Sequence, residues 1–156
     1  MSIAVFPGSF DPITVGHLEI IRRAARVFDE VVVSILDNPE KGCAFTVEER
    51  LELINEAIAD IPNVRSSASS GLLVDHCRQL GAEVIIRGLR SGADVEYEAT
   101  LEEVNTRIAP EISTVYLISK PEHAHISSSL VRQLIKIGIG IEGLVPNADN
   151  KILRRV

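Results

Sequence analysis

The stretch SIAVFPGSFDPITVGH, residues 2–17, moves from an apolar run, through a loop containing proline and glycine, to the start of an amphipathic segment. Residues 2–6 predict a β-strand, and the segment from Gly16 to about Val27 predicts a helix. The run VVVSIL at residues 31–36 predicts a second strand that is apolar throughout. Strands that do not alternate with polar residues indicate a parallel sheet covered on both faces.

The same alternation of strands and helices continues along the chain. Further strands are predicted near Val64, at residues 84–86 and at residues 114–118. Apolar residues at helical spacing predict two more helices, one with the face Val47, Leu51, Ile54 and Ile58 and the other with the face Tyr97, Leu101, Val104 and Ile108. A helix is also predicted at residues 128–137, and a short one at residues 147–156. This order predicts an α/β fold, with an open, mostly parallel five-stranded sheet flanked by helices in a single domain.

Composition limits the classes of function. Of 156 residues, 46% are hydrophobic and 24% charged, as in ordinary globular domains. The formal net charge of −6 argues against sequence-independent binding to nucleic acid, yet permits a cleft for a phosphate-rich small molecule. Because no apolar run reaches about 18 residues and no signal-peptide pattern is present, we expect no membrane partner and a cytoplasmic location. Cys43 and Cys77 are expected to be free thiols.

Functional residues are expected in the loops that follow the strands, because ligands bind beyond the carboxyl ends of the strands in open parallel sheets. In the first of these loops, Gly8 permits a close approach of the backbone to a ligand, and Ser9 offers a hydroxyl and an N–H group. His17 falls at the start of the next helix, where free N–H groups and the helix dipole favour anions. Its ring could donate to a phosphate oxygen or could only cap the helix.

Positively charged residues occupy two later loops. Lys41 lies in the polar stretch 37–45, where a lysine is most often only a solvated charge. The segment RGLR, residues 87–90, places two arginines at the end of a predicted strand, and guanidinium groups are suited to bidentate phosphate contacts. The competing interpretation is a structural ion pair with a nearby carboxylate, which would be Asp94, Glu96 or Glu98.

Three hydroxyls stand at the start of the helix after the fifth strand, at Ser127, Ser128 and Ser129. They could cap the helix or donate to phosphates, so the run is informative only together with the other loops. His123 and His125 lie two residues apart without a third metal ligand, and we therefore predict no metal held by the protein itself. The chain contains neither GxxxxGK[ST] nor GxGxxG, which argues against an ordinary kinase, GTPase or dehydrogenase.

Five segments, taken together, resemble one enzyme family: PGSFDPITVGH (7–17), FTVEER (45–50), IRGLR (86–90), EYE (96–98) and ISSSLVR (126–132). In this order they are similar to the bacterial phosphopantetheine adenylyltransferase family, which belongs to the nucleotidylyltransferase superfamily. The TxGH element in the first segment is shared across the superfamily, whereas the RGLR, EYE and ISSS elements are more specific. The resemblance implies one nucleotidylyltransferase domain with a Rossmann-like fold over residues 1–156.

The resemblance also implies a reaction and its participants. The adenylyl group of ATP would pass to 4′-phosphopantetheine, giving dephospho-coenzyme A and pyrophosphate, with Mg²⁺ bound together with ATP. A homohexamer and feedback inhibition by coenzyme A are further expectations of the family. Because the attacking phosphate is already anionic, we expect an in-line attack that needs no general base and forms no covalent enzyme intermediate.

The family's functional residues map onto this chain as follows. Charge on the transferring phosphate would be stabilised by His17, Lys41 and Arg90. The ATP site would be formed by Ser9, Phe10, His17, Gly88, Leu89, Arg90, Glu98, His123, Ala124, His125, Ile126, Ser127, Ser128 and Ser129. The acceptor would be held by Ser9, Lys41, Leu73 and Arg87.

Some features leave alternatives open. Gly42 and Cys43 follow Lys41 where some relatives differ, and the serine-rich stretch 66–70 has no predicted function. The nearest rival is another nucleotidylyltransferase, acting on nicotinate mononucleotide or glycerol phosphate, although Lys41 together with Arg87 argues against it. The rival from another class is a non-catalytic nucleotide-sensing module, which would bind ATP tightly without turnover.

Overall fold

Five parallel strands alternate with five α-helices in our computed structural model, which describes residues 1–154. The strands are β1 (Ile3–Gly8), β2 (Glu30–Asp37), β3 (Val64–Ser70), β4 (Val84–Leu89) and β5 (Ser113–Ile118). The helices are α1 (Val15–Ala24), α2 (Val47–Ala57), α3 (Leu73–Leu80), α4 (Gly92–Ile108) and α5 (Ser128–Lys136), with short 3₁₀ helices at Pro121–His123 and Lys151–Arg154. None of the helices in residues 1–154 is long and apolar enough to cross a membrane.

The strands form one sheet in the order β3-β2-β1-β4-β5, and each pairing between neighbours is parallel. The central strand β1 places Val5 opposite Val32 of β2 on one side and opposite Ile85 of β4 on the other. The chain leaves β1 towards β2 and later returns to its other side as β4. This reversal opens a crevice at the carboxyl ends of β1 and β4, where ligands bind in such sheets. The predicted Rossmann-like α/β fold is confirmed.

Both faces of the central strands are buried, which explains their continuous apolar sequence. Val31 and Val33 of β2 are fully buried in a cluster with residues of α1 and α2. Val32, between them, is fully buried in a second cluster with Val74 and Cys77 of α3. Because side chains alternate along a strand, the two clusters lie on opposite faces of the sheet. Burial raises the pKa of the Cys77 thiol to about 11, so this cysteine remains an apolar core residue at neutral pH.

Three elements differ from the sequence-based expectations. Helix α3 was not predicted, because its eight residues are too few to show a clear apolar period, and no side chain caps its start. It ends at Gly81, whose φ of 68° suits glycine. Helix α1 ends at Ala24, earlier than the predicted Val27. Of the short helix predicted at 147–156, a 3₁₀ turn forms at Lys151–Arg154, and residues 155–156 lie outside the described residues.

Helix α4 has the predicted position but not the predicted packing. The face expected to be buried is largely exposed: Tyr97 is 64%, Val104 49% and Ile108 43% accessible. Within α4, all of which the structure describes, Glu98 is the single buried residue. The apolar spacing therefore marks a helix correctly and misidentifies the face that meets the sheet. The inward side carries Glu98, which forms an ion pair with Arg87 of β4.

The segment after α5 returns to the middle of the molecule. Ile141, Val145, Ile152 and Leu153 are buried in the cluster that also contains α1 and α2. The carbonyl of Leu144 accepts the first N–H group of α1, from Val15, at 2.9 Å. This late segment therefore fixes the start of the helix that carries His17.

Candidate active site

The carboxyl ends of β1, β2 and β4 open into a cleft of about 870 Å³. The following residues predicted from the sequence line it: Ser9, Phe10, His17, Lys41, Arg87, Gly88, Arg90, Glu98, His123, Ile126, Ser127, Ser128 and Ser129. Leu73 lines an adjoining cavity of about 200 Å³. Leu89, Ala124 and His125 are not among the residues lining either cavity. The structure thus brings four separated loops to one site.

His17 is held in one orientation by the start of α1. Its Nδ1 accepts the backbone N–H of Thr14 at 3.0 Å, and its own N–H donates to Thr14 Oγ1 at 3.3 Å. These reciprocal bonds form the helix cap, so the capping interpretation of His17 is correct. Because Nδ1 is an acceptor, a neutral ring carries its proton on Nε2 and can donate from there. Capping therefore uses one ring nitrogen and leaves the other as a donor for a ligand.

The first loop packs around Phe10. Its side chain is only 2% exposed, and its ring meets the ring of His17 edge-on with centroids 5.0 Å apart. Gly8 is required by this packing, because a Cβ at that position would lie 3.0 Å from the Phe10 ring. Phe10 thus supports His17 from the core side, and only its backbone is available to a ligand.

Burial lowers the pKa of His17 to about 4, and the positive charge of Arg90 acts in the same direction. We expect His17 to stay neutral, with hydrogen on Nε2, from pH 8 down to about pH 5. Long-range ¹H–¹⁵N correlation spectra during a pH titration measure this directly, with the urea-unfolded chain as the reference. In the unfolded chain the ring takes up a proton near its ordinary pKa of 6.5, so the folding free energy from this group is lost as pH falls from 6.5 towards 4. A midpoint above 6 in the folded protein would contradict this assignment.

Arg50, which the sequence analysis did not single out, joins the first two loops from below. The side chain is 2% exposed and lies under the cleft. Its guanidinium donates to the carbonyls of Ser9 (2.9 Å), Phe45 (3.1 Å) and Thr46 (3.3 Å), and to Asp37 Oδ1 (3.2 Å). These bonds fix the positions of Ser9 and of both ends of the loop that carries Lys41. The sequence signals for such a residue are an arginine on the apolar side of α2 and its place at the end of the FTVEER segment.

A second buried charge holds the same loops from the opposite side. Both carboxylate oxygens of Asp11, which is 4% exposed, accept N–H groups of the second loop, from Ala44 and Phe45, at 2.9 Å each. Arg132 of α5 donates to the Asp11 carbonyl at 2.8 Å. Lys41, between the anchored ends of its loop, is exposed to the cleft. The loop therefore has fixed ends and an accessible cation.

The three serines at the start of α5 have separate structural partners. Ser127 Oγ caps the helix by accepting the N–H of Leu130 at 3.1 Å. Ser128 Oγ donates to the carbonyl of Pro12 at 2.7 Å, and Ser129 Oγ accepts from Arg132 at 3.2 Å. Only the hydroxyl of Ser128 thus ties α5 to the first loop. The N–H groups of Ser128 and Ser129 have no acceptor within the helix, and both residues line the cleft, where such groups suit an anion.

The two arginines of the RGLR segment are both near carboxylates. Arg87 forms a bidentate ion pair with Glu98, through Nε–H to Oε2 at 2.8 Å and Nη2–H to Oε1 at 2.7 Å. Arg90 is looser: its Nε lies 3.6 Å from Asp94 Oδ2, while its backbone N–H donates to the same oxygen at 2.8 Å. The ion-pair interpretation is therefore correct for Arg87, although the residue also lines the cleft.

The serine-rich stretch 66–70 forms most of the edge strand β3 and makes structural contacts. Ser67 Oγ lies 2.8 Å from Ser34 Oγ and 3.0 Å from Nε2 of the buried His76. Ser66 Oγ donates to Asn55 at 2.7 Å. Within residues 1–154, no group of three or more His, Cys, Asp or Glu side chains could hold a metal ion.

Comparison with known proteins adds an independent line of evidence. Residues 5–134 match a protein-family model described as cytidylyltransferase-like. A phosphopantetheine adenylyltransferase from Symbiobacterium thermophilum is 55% identical over 151 residues, covering 97% of this chain and 93% of that protein. One of the same name from Clostridium novyi is 48% identical, covering 94% of this chain and 91% of that protein.

A solved structure shares the fold. The crystal structure of a candidate nicotinate-nucleotide adenylyltransferase from Vibrio parahaemolyticus superposes with a TM-score of 0.72, covering 100% of this chain and 98% of that one. At 17% sequence identity, the likeness concerns the fold alone.

Proposed function

This chain belongs to the phosphopantetheine adenylyltransferases of the cytidylyltransferase-like family, and we propose that it transfers the adenylyl group of ATP to 4′-phosphopantetheine. The products are dephospho-coenzyme A and pyrophosphate. The observation that carries the proposal is the near-full-length identity of 55% to a protein of that name. The cleft supports it, because His17, Lys41, Arg87 and Arg90 face one space at the carboxyl end of the sheet.

The proposed reaction is one in-line displacement. A phosphate oxygen of the acceptor attacks the α-phosphorus of ATP, a new P–O bond forms, and the bond to the β-phosphate oxygen breaks as pyrophosphate leaves. The nucleophile is already anionic, so the protein has to position the two phosphates and offset their charge. The groups suited to this are the Nε2–H of His17, the ammonium of Lys41, the guanidinium of Arg90 and the N-terminal N–H groups of α5.

The proposed ATP site occupies the α1 and α5 side of the cleft. His17, Gly88 and Arg90 line this cleft and not the smaller cavity. The same holds for His123 and for the serines at the start of α5. Nδ1 of His123 is buried and has no hydrogen-bond partner among the described residues, which suits a residue awaiting a polar ligand. We propose that the nucleotide base lies near His123 and the triphosphate between His17 and α5.

The proposed acceptor site extends into the adjoining cavity. Arg87 lines both spaces and can direct the acceptor phosphate towards Lys41 across the cleft. Leu36, Leu73 and Leu101 give the smaller cavity an apolar lining for the pantetheine arm. Leu73 is the first residue of α3, so its backbone N–H lacks a helical partner and is available to an amide of the arm.

Four further features belong to the proposal. We propose that Mg²⁺ enters as MgATP and is held mainly by the nucleotide's phosphates. Coenzyme A, which contains the same pantetheine arm, would compete at the acceptor site as a feedback inhibitor. We propose a homohexamer, as the family resemblance implies, in which the exposed apolar side chains of α4 would provide surface for subunit contacts. We also propose a cytoplasmic location.

The test is the release of pyrophosphate from MgATP by the purified protein, with 4′-phosphopantetheine, nicotinate mononucleotide and glycerol phosphate compared as acceptors. We expect rapid release with 4′-phosphopantetheine alone, and dephospho-coenzyme A as the product in mass spectrometry. Faster release with either of the other acceptors would show that 4′-phosphopantetheine is not the preferred acceptor, whereas the assignment of the reaction as adenylyl transfer would stand. ATP binding with no release with any acceptor would favour the nucleotide-sensing module.

A further inference from the structure

A buried polar cluster lies between the sheet and α3, on the face of the sheet opposite α1 and α2. It consists of Ser34 of β2, Ser67 of β3 and His76 of α3. Nε2 of His76 lies 3.0 Å from Ser67 Oγ and 3.2 Å from Ser34 Oγ, and the two hydroxyls are 2.8 Å apart. His76 is 5% exposed and Ser34 is fully buried. The cluster therefore joins two strands and a helix at one buried point.

The ring of His76 takes part as a neutral group. Burial, the largest influence, lowers the pKa of His76 below its usual range. The positive charge of Arg65 acts in the same direction, and a hydrogen bond with the side chain of Gln79 opposes them. A neutral ring nitrogen either accepts a hydroxyl proton or donates its own hydrogen to the hydroxyl oxygen. The bonds to the serines therefore form with either tautomer of the ring.

Helix α3 has few other means of holding its position. It is eight residues long and no side chain caps its start, and helices of this length depend on tertiary packing. Val74 and Cys77 supply buried apolar contacts, which are not directional. Among the hydrogen bonds of residues 1–154, His76 is the one side chain of α3 that bonds to a strand, since Arg78 reaches the end of α4 instead. The direction in which α3 leaves the sheet thus depends on His76.

The cluster lies one layer below the cavity that we propose for the pantetheine arm. Leu36 follows Ser34 by two residues, about 7 Å further along the same face of β2, and lines both cavities. Leu73 precedes His76 by about one helical turn on the same side of α3, and lines the smaller cavity. No member of the cluster lines either cavity. An effect on a ligand would therefore pass through the elements that the cluster holds together.

We propose that His76 is a positioning residue for the acceptor. Through its bonds to Ser34 and Ser67, it holds the first turn of α3 against the sheet. Leu73 and its free backbone N–H group are thereby kept in place for the pantetheine arm. MgATP is little affected, because the proposed nucleotide site lies on the α1 and α5 side of the cleft. This inference rests on the proposed function and gives the serine-rich stretch 66–70 a part in it.

The first variant is His76→Leu, which keeps a buried side chain and removes the link. The fold should survive, because Ser34 and Ser67 remain paired with each other. By titration calorimetry with each ligand alone, we expect the Kd for 4′-phosphopantetheine to rise about 5- to 10-fold, the equivalent of one net hydrogen bond, and the Kd for MgATP to change by less than about twofold. In steady-state kinetics, KM for the acceptor should rise while kcat stays near the wild-type value.

Two further variants address the same contacts. His76→Gln places an amide near the position of Nε2 and should restore most of the affinity for the acceptor. Ser34→Ala combined with Ser67→Ala keeps the ring and removes both of its partners, so it should raise the Kd for the acceptor at least as much as His76→Leu does. This double variant supplies the test where a thermal melt shows that His76→Leu is poorly folded.

The matched control is Ser66→Ala. Ser66 is the neighbour of Ser67 on β3 but faces the opposite side of the sheet, where its hydroxyl donates to Asn55 Oδ1 of α2 at 2.7 Å. We expect this variant to leave the Kd values for both ligands unchanged.

Three results would overturn the positioning role. The first is a Kd for 4′-phosphopantetheine within about twofold of the wild type in the double serine variant or in folded His76→Leu, less than the loss of a hydrogen bond predicts. The second is an equal rise for both ligands, which indicates a general loss of structure, and the third is a rise of the same size in Ser66→Ala. Failure of the wild-type protein to bind 4′-phosphopantetheine would overturn the proposed function together with this inference, whereas the other outcomes leave that function standing.

Discussion

We expect the replacement of His17 by alanine to lower kcat by about 100- to 1,000-fold, the usual cost of losing one donor to a transition-state phosphate or oxyanion. The fold survives, because Thr14 still caps α1 through its hydroxyl, which accepts the N–H of residue 17. The Nε2–H donor disappears, and no neighbouring side chain replaces it within the packing around Phe10. Steady-state kinetics of pyrophosphate release measure the loss, and circular dichroism with a thermal melt checks the fold.

The control for this variant is Arg22→Ala, also on α1, whose exposed side chain pairs with Asp60. Exposed ion pairs contribute little to stability, and this one lies away from the cleft, so kcat should stay near the wild-type value. His17→Gln offers a finer comparison, since its amide can still donate and should restore part of the activity. A near-normal kcat for His17→Ala would exclude the proposed role of the ring in charge stabilisation.

Replacing Arg50 by methionine should lower the free energy of unfolding by about 3 kcal/mol or more and remove most activity. The substitution leaves the carbonyl of the buried Phe45 and that of Ser9, at the edge of the cleft, without their donor, and it removes the charge partner of Asp37. Unpaired buried polar groups cost about 1 to 3 kcal/mol each. Urea unfolding measures the stability, and the pyrophosphate assay measures the activity.

Asp37→Asn removes the negative charge that pairs with Arg50 and keeps the hydrogen bonds from Arg50 to the backbone carbonyls. The variant therefore measures the contribution of the charge alone. Asp37 is 35% exposed and supplies only one of the four acceptors of Arg50, so we expect a loss of about 1 kcal/mol. Arg50→Met with stability within about 1 kcal/mol of the wild type would show that the loops are held by other contacts. In that case the position of Ser9 would not depend on this arginine.

The central sheet could be predicted from the sequence because its strands are apolar throughout. The run 31–36 has that pattern only because helices cover both faces of β2. The polar edge strand β3 was correspondingly weak as a prediction, since its serines face an exposed edge and a small buried hydrogen-bond network. Helix α3 gave too short a pattern to be recognised. The strength of each prediction thus follows how much apolar surface the element buries.

The candidate site could be predicted in part. Gly8, Ser9 and His17 lie in or directly after the loop that follows the first strand, and residues 87–90 lie at the end of a clearly predicted strand. Searching the carboxyl ends of the predicted strands was therefore sufficient to find these residues. Arg50 could not be found in this way, because its role is set by four partners in three separate segments of the chain. For the same reason, sequence reasoning left open whether Arg87 bound a phosphate or a carboxylate, and the fold brings Glu98 of α4 onto it.

The late segment that seals the start of α1 has a consequence for biosynthesis. All five strands emerge from the ribosome before residues 141–153, yet the bond from Val15 to Leu144 and the burial of Ile152 and Leu153 depend on those residues. A nascent chain that ends after β5 therefore exposes apolar surface of α1 and α2 that the complete core would cover. The helix carrying His17 acquires its final support only when this segment has been translated.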